Sequence, residues 1–579
     1  MAGRLSPIRL ALAQVNPRVG DLDGNAAKLR ERIARARDAG AELVLFPELA
    51  VTGYPPEDLL LKEHFLRASE EALASVAAEA EGIVAFVGAP ERAEDVYNAL
   101  AVCAGGRVVA RYRKSVLPNY GVFDEERYFQ AGDGGAVLEL GAARLGLTIC
   151  EDMWTPGPPA SDEALAGASL LLNASASPYH AGKGVRRERM MIQRARDNVS
   201  AIAFCNLVGG QDELVFDGHS LLLDHQGAVL ARAPQFEEAL LIGTVDPQAA
   251  VTARLRDTRL RPPVRRALPQ VARLGALERP QASAVSEVGG PVAPLLDEVA
   301  EVYAALVLGV RDYVDKNGFA HAVLGLSGGI DSALVLLVAV DALGPDRVTA
   351  AVMPSRYSSS GTQSDARALA ANLGVQCLDI PIEPAMDVYE GMLSSIFEGR
   401  EPDLTEENLQ ARIRGNILMA LSNKFGWLVL TTSNKSESSV GYSTLYGDSA
   451  GGFAVIKDVP KSLVYRLVAL RNERDGARPV PETIVTRPPS AELRPGQKDS
   501  DSLPDYDTLD AILAAYVEQD ADREQLELAR LPAEAIERVF ALVDRSEYKR
   551  RQAPPGIKIT PRAFGRDRRM PITNGYRPR

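Results

Sequence analysis

Two sets of residues in this sequence have the types and the spacing that chemistry requires. The first surrounds a glycine- and serine-rich hexapeptide between a short apolar run, 322–326, and a longer one, 333–340. A strand, a glycine-rich turn and a helix in this order direct backbone N–H groups and the positive end of the helix dipole at one point. Asp331 adds a carboxylate that can hold a Mg²⁺ ion carried on phosphates. We therefore predict a cradle for the pyrophosphate of a nucleotide, built from Gly325, Leu326, Ser327, Gly328, Gly329, Ile330, Asp331 and Ser332.

This glycine-rich turn differs from the Walker loop. A Walker loop needs a lysine after its last glycine, and here Gly329 is followed by Ile330. A plain glycine–serine turn is the alternative, although the strand–loop–helix context is restrictive. The segment resembles the pyrophosphate loop of enzymes that split ATP between its α- and β-phosphates and release AMP.

The second set consists of Glu48, Lys114 and Cys150, each of which directly follows an apolar, strand-like run. A thiol is a poor nucleophile until it is deprotonated, so it needs a base and a positive charge nearby. Glu48 could take the proton, and Lys114 could favour the thiolate and then an oxyanion. A Cys–His pair is the weaker interpretation, since no histidine has flanking residues comparable to those of Glu48 and Lys114. Taken singly, a cysteine is usually a small buried hydrophobe, so spacing alone leaves this site open.

Composition limits the classes of function. Apolar residues make up 46% and charged residues 25% of the 579 residues, as in an ordinary globular protein. The net charge of −12 disfavours nucleic acid or an anionic membrane as a partner. The four cysteines are widely separated, so we expect no disulfide framework, no zinc and no haem. With no apolar run of 18 residues, we predict a cytoplasmic location.

One break in composition divides the chain. Between 246 and 291 the alternation of apolar runs fades, and arginine and proline accumulate. We predict a domain at 1–250, a linker at 251–290 and a second domain at 291–579. Strand-like and helical stretches alternate on both sides of the break, so both domains are predicted to be α/β, the second as a doubly wound parallel sheet.

Three segments of the first domain carry a resemblance to a known superfamily. The segments 45–49, 112–118 and 147–152 resemble, in order, the three signatures of the nitrilase superfamily. The resemblance implies an α-β-β-α sandwich that cleaves C–N bonds through a thioester. It assigns Glu48 as base, Lys114 as oxyanion-stabilising cation and Cys150 as nucleophile.

A fourth segment, 119–129, resembles the part that closes the pocket in the glutaminase branch of that superfamily. Glu125 there matches a second, supporting carboxylate. By the same resemblance Tyr120, Ser177 and Lys183 would hold the glutamine substrate. The alternative for these three residues is an ordinary surface turn.

Together, the two domains resemble the glutamine-dependent NAD⁺ synthetases over nearly the whole chain. This implies a C-terminal domain of the adenine nucleotide α-hydrolase, or pyrophosphate-loop, type. The implied reaction is the last step of NAD biosynthesis: deamido-NAD, ATP, L-glutamine and water give NAD⁺, AMP, diphosphate and L-glutamate. An adenylated nicotinate carboxylate would be attacked by channelled ammonia. Mg²⁺ would be the cofactor and ATP a co-substrate.

The same resemblance assigns further residues in the second domain. A helix predicted from Thr405, as N-cap, would carry Asn408 and Arg412 to the deamido-NAD. The resemblance places Thr432, Lys461 and Ser490 at ATP, Glu437 at Mg²⁺ or deamido-NAD beside the metal ligand Asp331, and Lys549 at deamido-NAD. Solvated helix faces are the alternative for Asn408, Arg412 and Lys549. One departure is Leu445, where ammonia-dependent synthetases carry a lysine before Tyr-Gly-Asp.

Two other functions remain open at this point. One is a nitrilase-type amidase regulated by a nucleotide-binding domain, and the other is a different pyrophosphate-loop amidotransferase. The partners expected are small-molecule substrates, with neither nucleic acid nor membrane. Because both domains self-associate in the resembling family, we also expect a homo-oligomer.

Overall fold

The computed structural model describes residues 5–257, 271–280, 287–494, 496–497 and 499–576. The chain divides into two compact units. The first comprises Met1–Gln211 and Val215–Leu296, and the second comprises Asp212–Leu214 and Asp297–Arg579. Within the described ranges, none of the helices combines the length and the apolar character needed to cross a bilayer.

The strands and helices of the described residues are as follows. The strands are β1 (Ile8–Gln14), β2 (Leu43–Leu45), β3 (Val84–Arg92), β4 (Val96–Ala104), β5 (Arg107–Arg113), β6 (Ala136–Leu140), β7 (Ala143–Ile149), β8 (Leu170–Ser175), β9 (Ala201–Asn206), β10 (Val208–Gln211), β11 (Leu214–Asp217), β12 (Leu221–Leu223), β13 (Val229–Arg232), β14 (Ala239–Val245), β15 (Ala272–Leu277), β16 (Ala322–Gly325), β17 (Val348–Val352), β18 (Gln376–Asp379), β19 (Leu428–Thr431) and β20 (Phe453–Ala454). The α-helices are α1 (Leu22–Asp38), α2 (Glu63–Ala77), α3 (Glu151–Trp154), α4 (Ala160–Leu165), α5 (Lys183–Asn198), α6 (Pro247–Arg256), α7 (Glu298–Lys316), α8 (Ile330–Leu343), α9 (Ser360–Asn372), α10 (Glu383–Leu393), α11 (Leu404–Phe425), α12 (Lys435–Val440), α13 (Lys461–Glu473), α14 (Glu482–Thr486), α15 (Tyr506–Leu513), α16 (Arg523–Leu528), α17 (Ala533–Arg545) and α18 (Glu547–Arg550).

The first unit contains two large sheets with helices on their outer faces. One sheet has the order β14-β1-β2-β3-β4-β5, and the other has the order β13-β12-β9-β8-β7-β6-β15. Side chains from both sheets share one buried apolar cluster. A second cluster joins the first sheet to α1 and α2, and a third joins the second sheet to helices that include α5.

Strand β1 shows why the layers form. Its residues Leu10 and Leu12 belong to the cluster between the sheets, whereas Ala11 and Ala13 belong to the cluster beneath α1 and α2. Successive side chains of a strand point to opposite faces, so a fully apolar strand is buried on both sides. The layers are therefore helix, sheet, sheet, helix, and the predicted α-β-β-α sandwich is confirmed.

The second unit is built on a five-stranded sheet of order β18-β17-β16-β19-β20. All four neighbouring pairs are parallel. The chain runs from β16 outward to β18 on one side and then returns to β19 on the other, so the strand order reverses between β16 and β19. Ligands of such sheets bind beyond the carboxyl ends of the strands at this point. The predicted doubly wound parallel sheet is confirmed.

Helices cover this sheet and extend beyond it. Val323, Ala351 and Val429 of three strands pack against Ile413 and Leu418 of α11. The last helices form a separate apolar cluster made mainly by α15 and α17. This cluster adjoins α12, whose Val440 is one of its members.

The predicted linker at 251–290 overlaps two ranges, 258–270 and 281–286, that lie outside the described residues. Its described part includes the end of α6 and the whole of β15. Strand β15 pairs in parallel with β6 and so extends the second sheet of the first unit.

The start of α11 corrects one detail of the sequence analysis. The predicted N-cap, Thr405, is wrong, because the cap is Asp403. The Asp403 carboxylate accepts the Thr405 N–H at 2.7 Å, and the Glu406 carboxylate accepts the Asp403 N–H at 2.8 Å. Aspartate caps helices at least as well as threonine, and the reciprocal capping box decides between them.

Candidate active sites

In the first unit, Glu48, Lys114 and Cys150 lie just beyond the carboxyl ends of β2, β5 and β7, and all three are buried. Glu48 and Lys114 are joined by an ion pair of 2.7 Å between Oε1 and Nζ. Lys114 also donates to both oxygens of Glu125, at 3.0 and 2.8 Å. The structure thus brings the three predicted catalytic residues and the supporting carboxylate into one buried site.

Charges in this site shift the pKa values of its groups. Burial opposes the charge on the Lys114 ammonium, but Glu125 and Glu48 outweigh that effect and raise its pKa. Burial raises the pKa of Glu125 to about 7, with Lys114 acting in the opposite direction. Burial and the charge of Glu48 raise the pKa of the Cys150 thiol well above its usual value. In the resting site Cys150 is therefore a neutral thiol that needs a base to become a nucleophile.

The backbone at Cys150 presents the thiol. Its φ of 41° lies in the left-handed region, which is uncommon for a residue with a side chain and marks a tight turn between β7 and α3. The Asp152 carboxylate fixes this turn, because it accepts the N–H groups of Ile149 at 2.8 Å and Val116 at 2.9 Å. Since Val116 closely follows Lys114, Asp152 ties the nucleophile turn to the segment of the cation.

The three predicted glutamine-binding residues differ in how they are related to the turn at Cys150. Tyr120 donates its hydroxyl to both oxygens of Glu151, at 2.9 and 3.0 Å. Ser177 follows β8, the parallel neighbour of β7, and its buried Oγ has no hydrogen-bond partner among the described residues. Lys183 begins α5, donates to the Pro178 carbonyl at 2.7 Å and lies 5.4 Å above the Trp154 ring.

In the second unit, the predicted pyrophosphate loop connects β16 to α8 at the point where the strand order reverses. The Ser332 hydroxyl donates to the Gly329 carbonyl at 3.0 Å, and the Ser327 hydroxyl accepts the Gly329 N–H at 3.2 Å. Gly328 has a φ of 82°, and a Cβ atom there would lie 2.2 Å from the Thr362 carbonyl oxygen. The loop therefore requires glycine at 328 for both its backbone conformation and its close approach to Thr362.

A group of charges lies beside the loop. The Lys461 ammonium contacts Asp331 and lies 3.3 Å from Oε1 of Glu437. Asn434 bridges the two carboxylate residues, because its Nδ2 donates to Asp331 and its Oδ1 accepts the Glu437 N–H, both at 2.9 Å. Burial and the nearby Asp331 raise the pKa of Glu437 to about 8, against the effect of Lys461.

Two cavities adjoin the loop. One, of about 270 Å³, is lined by the loop and by Thr432, Glu437, Lys461 and Ser490. The other, of about 180 Å³, lies at the carboxyl ends of β16, β17 and β19 and is lined by apolar side chains that include Met353 and Leu418. Arg414 lines both cavities and donates to the Met353 carbonyl at 3.0 Å. A charged cavity beside an apolar one suits a nucleotide with its phosphates at the loop.

The three residues assigned to deamido-NAD from helix α11 and the C-terminus contact one segment, 441–445. Lys549 donates to the carbonyls of Gly441 and Ser443, at 2.7 and 2.8 Å. Asn408 accepts the Thr444 hydroxyl at 2.8 Å, and Arg412 donates to the Leu445 carbonyl at 3.2 Å. None of the three lines either of the two cavities just described.

Sequence reasoning missed several polar residues of these sites. Asp152 and Asn434 lie in segments that also contain predicted site residues, so their positions in the sequence were a usable signal. Asn98 is a single buried amide within the otherwise apolar strand β4, and its side chain contacts Glu48. Asp499, which accepts the Tyr506 hydroxyl at 2.7 Å, lines the larger cavity and gave no signal in the sequence.

The fold and the two sites define a class of enzyme: a nitrilase-like C–N hydrolase unit and a pyrophosphate-loop nucleotide-binding unit on one chain. Family models agree, since the carbon-nitrogen hydrolase model matches residues 9–255 and the NAD synthase model matches residues 302–553. The chain is 46% identical over 577 residues to the glutamine-dependent NAD(+) synthetase of Thermotoga maritima, covering 98% of this chain and 99% of that protein. The identity to the corresponding synthetase of Aquifex aeolicus is 45% over 582 residues, covering 98% and 100%.

A solved structure gives the same result. The glutamine-dependent NAD⁺ synthetase of Acinetobacter baumannii, in complex with ADP, matches with a TM-score of 0.74 and 39% identity, covering 99% of this chain and 100% of that one. This chain belongs to the family of glutamine-dependent NAD⁺ synthetases. The family predicted from the sequence is confirmed.

Proposed function

We propose that this chain forms NAD⁺ from deamido-NAD, ATP and L-glutamine, with one half-reaction in each unit. The observation that carries the proposal is that a buried Glu–Lys–Cys site and a pyrophosphate loop with two carboxylates occur on a single chain. A chain that only hydrolysed amides would have no use for the second site. The family membership supports the same reaction.

Glutamine hydrolysis starts at Cys150. Glu48 takes the thiol proton, and the sulfur attacks the side-chain amide of glutamine. Once protonated, Glu48 attracts Lys114 less strongly. The Lys114 ammonium can then donate a hydrogen bond to the new oxyanion. The N–H of Glu151, at the start of α3, is the second oxyanion donor. Ammonia leaves, and water then releases glutamate from the thioester.

The glutamine is held by Tyr120, Ser177 and Lys183. The hydroxyl of Ser177, which has no partner among the described residues, is a free hydrogen-bonding group beyond the end of β8, the strand next to β7. Lys183 supplies a cation for the substrate carboxylate. A buried hydroxyl that lacks a partner is costly, so a substrate that satisfies it is bound more tightly.

Adenylation takes place in the second unit. The nicotinate carboxylate of deamido-NAD attacks the α-phosphate of ATP, and diphosphate departs into the loop formed by Gly325, Leu326, Ser327, Gly328, Gly329, Ile330, Asp331 and Ser332. Lys461, Thr432 and Ser490 bind ATP around this loop, and all three line the larger cavity. Ammonia then displaces AMP to give NAD⁺.

The residues present fit a magnesium ion. No group of three or more His, Cys, Asp or Glu side chains in the described part of the chain could hold a metal by itself. Mg²⁺ is commonly bound by one or two carboxylates together with substrate phosphates, and Asp331 and Glu437 form such a pair. Burial and the charge of Asp331 raise the pKa of Glu437, and a cation held by the two carboxylates would oppose both effects. When bound, Mg²⁺ would neutralise the charge of the departing diphosphate.

Deamido-NAD is placed against the segment 441–445 by Asn408, Arg412 and Lys549, with Glu437 nearby. These residues now donate to or accept from that segment. Lysine is absent at Leu445, and the backbone carbonyl of Leu445 is instead held by Arg412. Arg412 and Lys549 therefore supply the positive charge that attracts the dinucleotide.

We infer further that the enzyme is a cytoplasmic homo-oligomer. All four cysteines are free, which suits a reducing compartment. Val388 and Met392 of α10, and Ile396 just beyond it, are more than half exposed, and an apolar patch of this kind is a candidate interface between subunits. Light scattering at several protein concentrations would give the subunit number.

Product analysis with the wild-type enzyme tests the proposed function. With deamido-NAD, ATP, glutamine and Mg²⁺ we expect NAD⁺, AMP, diphosphate and glutamate. Glutamate without NAD⁺ would indicate the amidase alternative. Formation of ADP and phosphate would contradict a pyrophosphate-loop mechanism.

A further inference from the structure

Three hydrogen bonds hold the carboxylate of Glu48. Its Oε1 accepts from Lys114 Nζ and from Asn98 Nδ2, each at 2.7 Å. Its Oε2 accepts the Ala176 N–H at 2.9 Å. All of these residues are buried, so water does not compete for the carboxylate.

The distribution of these donors leaves one oxygen available. An ionised carboxylate offers about four lone-pair positions, two on each oxygen. Among the described residues, both positions of Oε1 are occupied, whereas Oε2 accepts a single bond. Oε2 therefore has the open position that a proton from the Cys150 sulfur requires.

Asn98 contacts both charged members of the site. Its side chain donates to Glu48, and its backbone carbonyl accepts the Lys114 N–H at 2.8 Å. It lies in β4, which pairs with β3 on one side and with β5 on the other, and β5 ends just before Lys114. A single residue thus fixes the base through its side chain and the segment of the cation through its backbone.

The Asn98 side chain is also in a restricted environment. It is 1% exposed, and its Oδ1 has no partner among the described residues. The amide orientation is determined by the neighbour, because a carboxylate can only accept and must face the NH₂ group. Leaving a buried carbonyl oxygen unpaired costs free energy, so packing alone gives no reason for an amide here.

We propose that Asn98 is a positioning residue for glutamine hydrolysis: it holds Oε1 of Glu48 so that Oε2 receives the thiol proton. The proposal rests on the proposed function, since it assigns an additional role within the same first-unit reaction. Without Asn98 the Glu48 carboxylate can rotate. Oε1 then gains an open lone pair, and this oxygen is not in the position from which Oε2 receives the thiol proton. A hydrogen bond that is stronger to an ionised carboxylate than to its neutral form is also lost.

The charges around Glu48 must be considered in a pH test. The titratable groups that act on it are Lys114, Glu125, Cys150, Tyr54 and Glu151. Asn98 is neutral and remains so at all pH values of the assay. A shift produced by its replacement therefore reports a lost hydrogen bond and not a changed charge.

Kinetics of Asn98→Ala would test the proposal. We expect glutaminase kcat to fall about 10- to 100-fold, as for other residues that orient a catalytic group, with KM for glutamine changed less than about threefold. The acid limb of kcat/KM should move to higher pH. Synthesis of NAD⁺ from ammonium should stay within about twofold of wild type, because it uses only the second unit.

Two further variants keep the test decisive. Asn98→Asp preserves the shape but replaces the donor with a second carboxylate, so its acid limb should move at least as far upward as that of Asn98→Ala. Asn198→Ala is the matched control, since Asn198 is a buried amide that donates to the backbone carbonyl of Arg194, at the opposite end of α5 from Lys183. The control should change glutaminase activity less than twofold.

Several results would overturn the proposal. Glutaminase kcat of Asn98→Ala within twofold of wild type would remove any positioning role. A reduced kcat with an unmoved acid limb would show that Asn98 acts through packing alone. Failure of wild-type enzyme to hydrolyse glutamine at all would instead refute the proposed function, so the two failures are distinguishable.

Discussion

Each unit contains a lysine between two carboxylates, but the two lysines differ in their surroundings. Lys114 lies between Glu48 and Glu125, and the side chains of this trio are at most 6% exposed. Lys461 lies between Asp331 and Glu437, which are 18% and 17% exposed and line a cavity of about 270 Å³. The first trio is sealed, whereas the second is open to that cavity.

The difference follows from the chemistry of each unit. Attack on a small amide needs groups that already have the correct geometry, and a buried ion network supplies it at little reorganisation cost. Nucleotide chemistry needs a site that admits a large polyanion and its metal. We therefore infer that Lys114 is a fixed part of its site, and we propose that Lys461 is a counter-ion that would give way to a metal and phosphates.

The largest expected effect concerns the open trio. Asp331→Asn removes a charged ligand beside the pyrophosphate loop, so NAD⁺ formation should fall by roughly 100-fold or more with either nitrogen donor. Glutamine hydrolysis measured alone should persist, at least in part. Coupled assays of NAD⁺ and glutamate separate the two activities. Asp346→Asn, at an exposed aspartate beyond the end of α8, is the control and should behave as wild type.

If Asp331→Asn formed NAD⁺ at nearly the wild-type rate, the carboxylate pair would have no part in the mechanism. The difference in exposure between the sealed and the open trio would then have no functional consequence.

The sealed trio is tested by Glu125→Gln. Lys114 loses one of its two carboxylates, so glutaminase kcat should fall about 10- to 100-fold while ammonium-dependent synthesis is unchanged. In the wild type the pKa of Glu125 is raised to about 7, so activity should decline as the pH falls through this value. Glu125→Gln has no titratable group at this position, so this decline should be absent from its pH profile. The same decline in the variant would contradict this assignment.

Because we propose that a metal ion replaces Lys461 beside the two carboxylates, removal of Lys461 should change the affinity for the metal. In Lys461→Met the two carboxylates lack their internal counter-ion, so Mn²⁺ should bind in the absence of ATP about tenfold more tightly than in wild type. The KM for ATP should rise, since a phosphate ligand is lost. Electron paramagnetic resonance of Mn²⁺ measures the binding without any turnover. Equal affinity in variant and wild type would show that Lys461 does not compete with the metal.

The smallest expected effect concerns the dinucleotide. Lys549→Ala and Asn408→Ala should raise KM for deamido-NAD about three- to tenfold, and KM for ATP less. Arg545→Ala, at an exposed arginine of α17, serves as control. An equal rise in both KM values would place the two residues outside the deamido-NAD site.

Part of this arrangement could be predicted from the order of residues along the chain, and the resemblance to the nitrilase superfamily supplied the roles of the catalytic residues. Glu48, Lys114 and Cys150 each follow an apolar run, and strand ends are where a sheet presents side chains to a site. The pyrophosphate loop was predictable for the same reason, since a strand, a glycine turn and a helix are local in sequence.

What escaped prediction depends on contacts between distant segments. Asn98 contacts a residue 50 positions away, and nothing beside it in β4 indicates that contact. Asp499, which lines the larger cavity, begins a short 3-10 helix, Asp499–Asp501, in a segment without regular hydrophobic periodicity. The N-cap of α11 was missed for a local reason: Asp403 and Thr405 are both good caps, and only the hydrogen bonds of Glu406 distinguish them.

The central claim is that the sealed site supplies ammonia and the open site consumes it. Cys150→Ala tests it most directly, by measuring NAD⁺ formation from glutamine and from ammonium over a range of pH. We predict that synthesis from glutamine vanishes because no thioester can form, while synthesis from ammonium persists and improves as pH rises and more free ammonia is present. NAD⁺ formation from glutamine by Cys150→Ala, or loss of its ammonium-dependent synthesis in a folded protein, would contradict the assignment of one half-reaction to each unit.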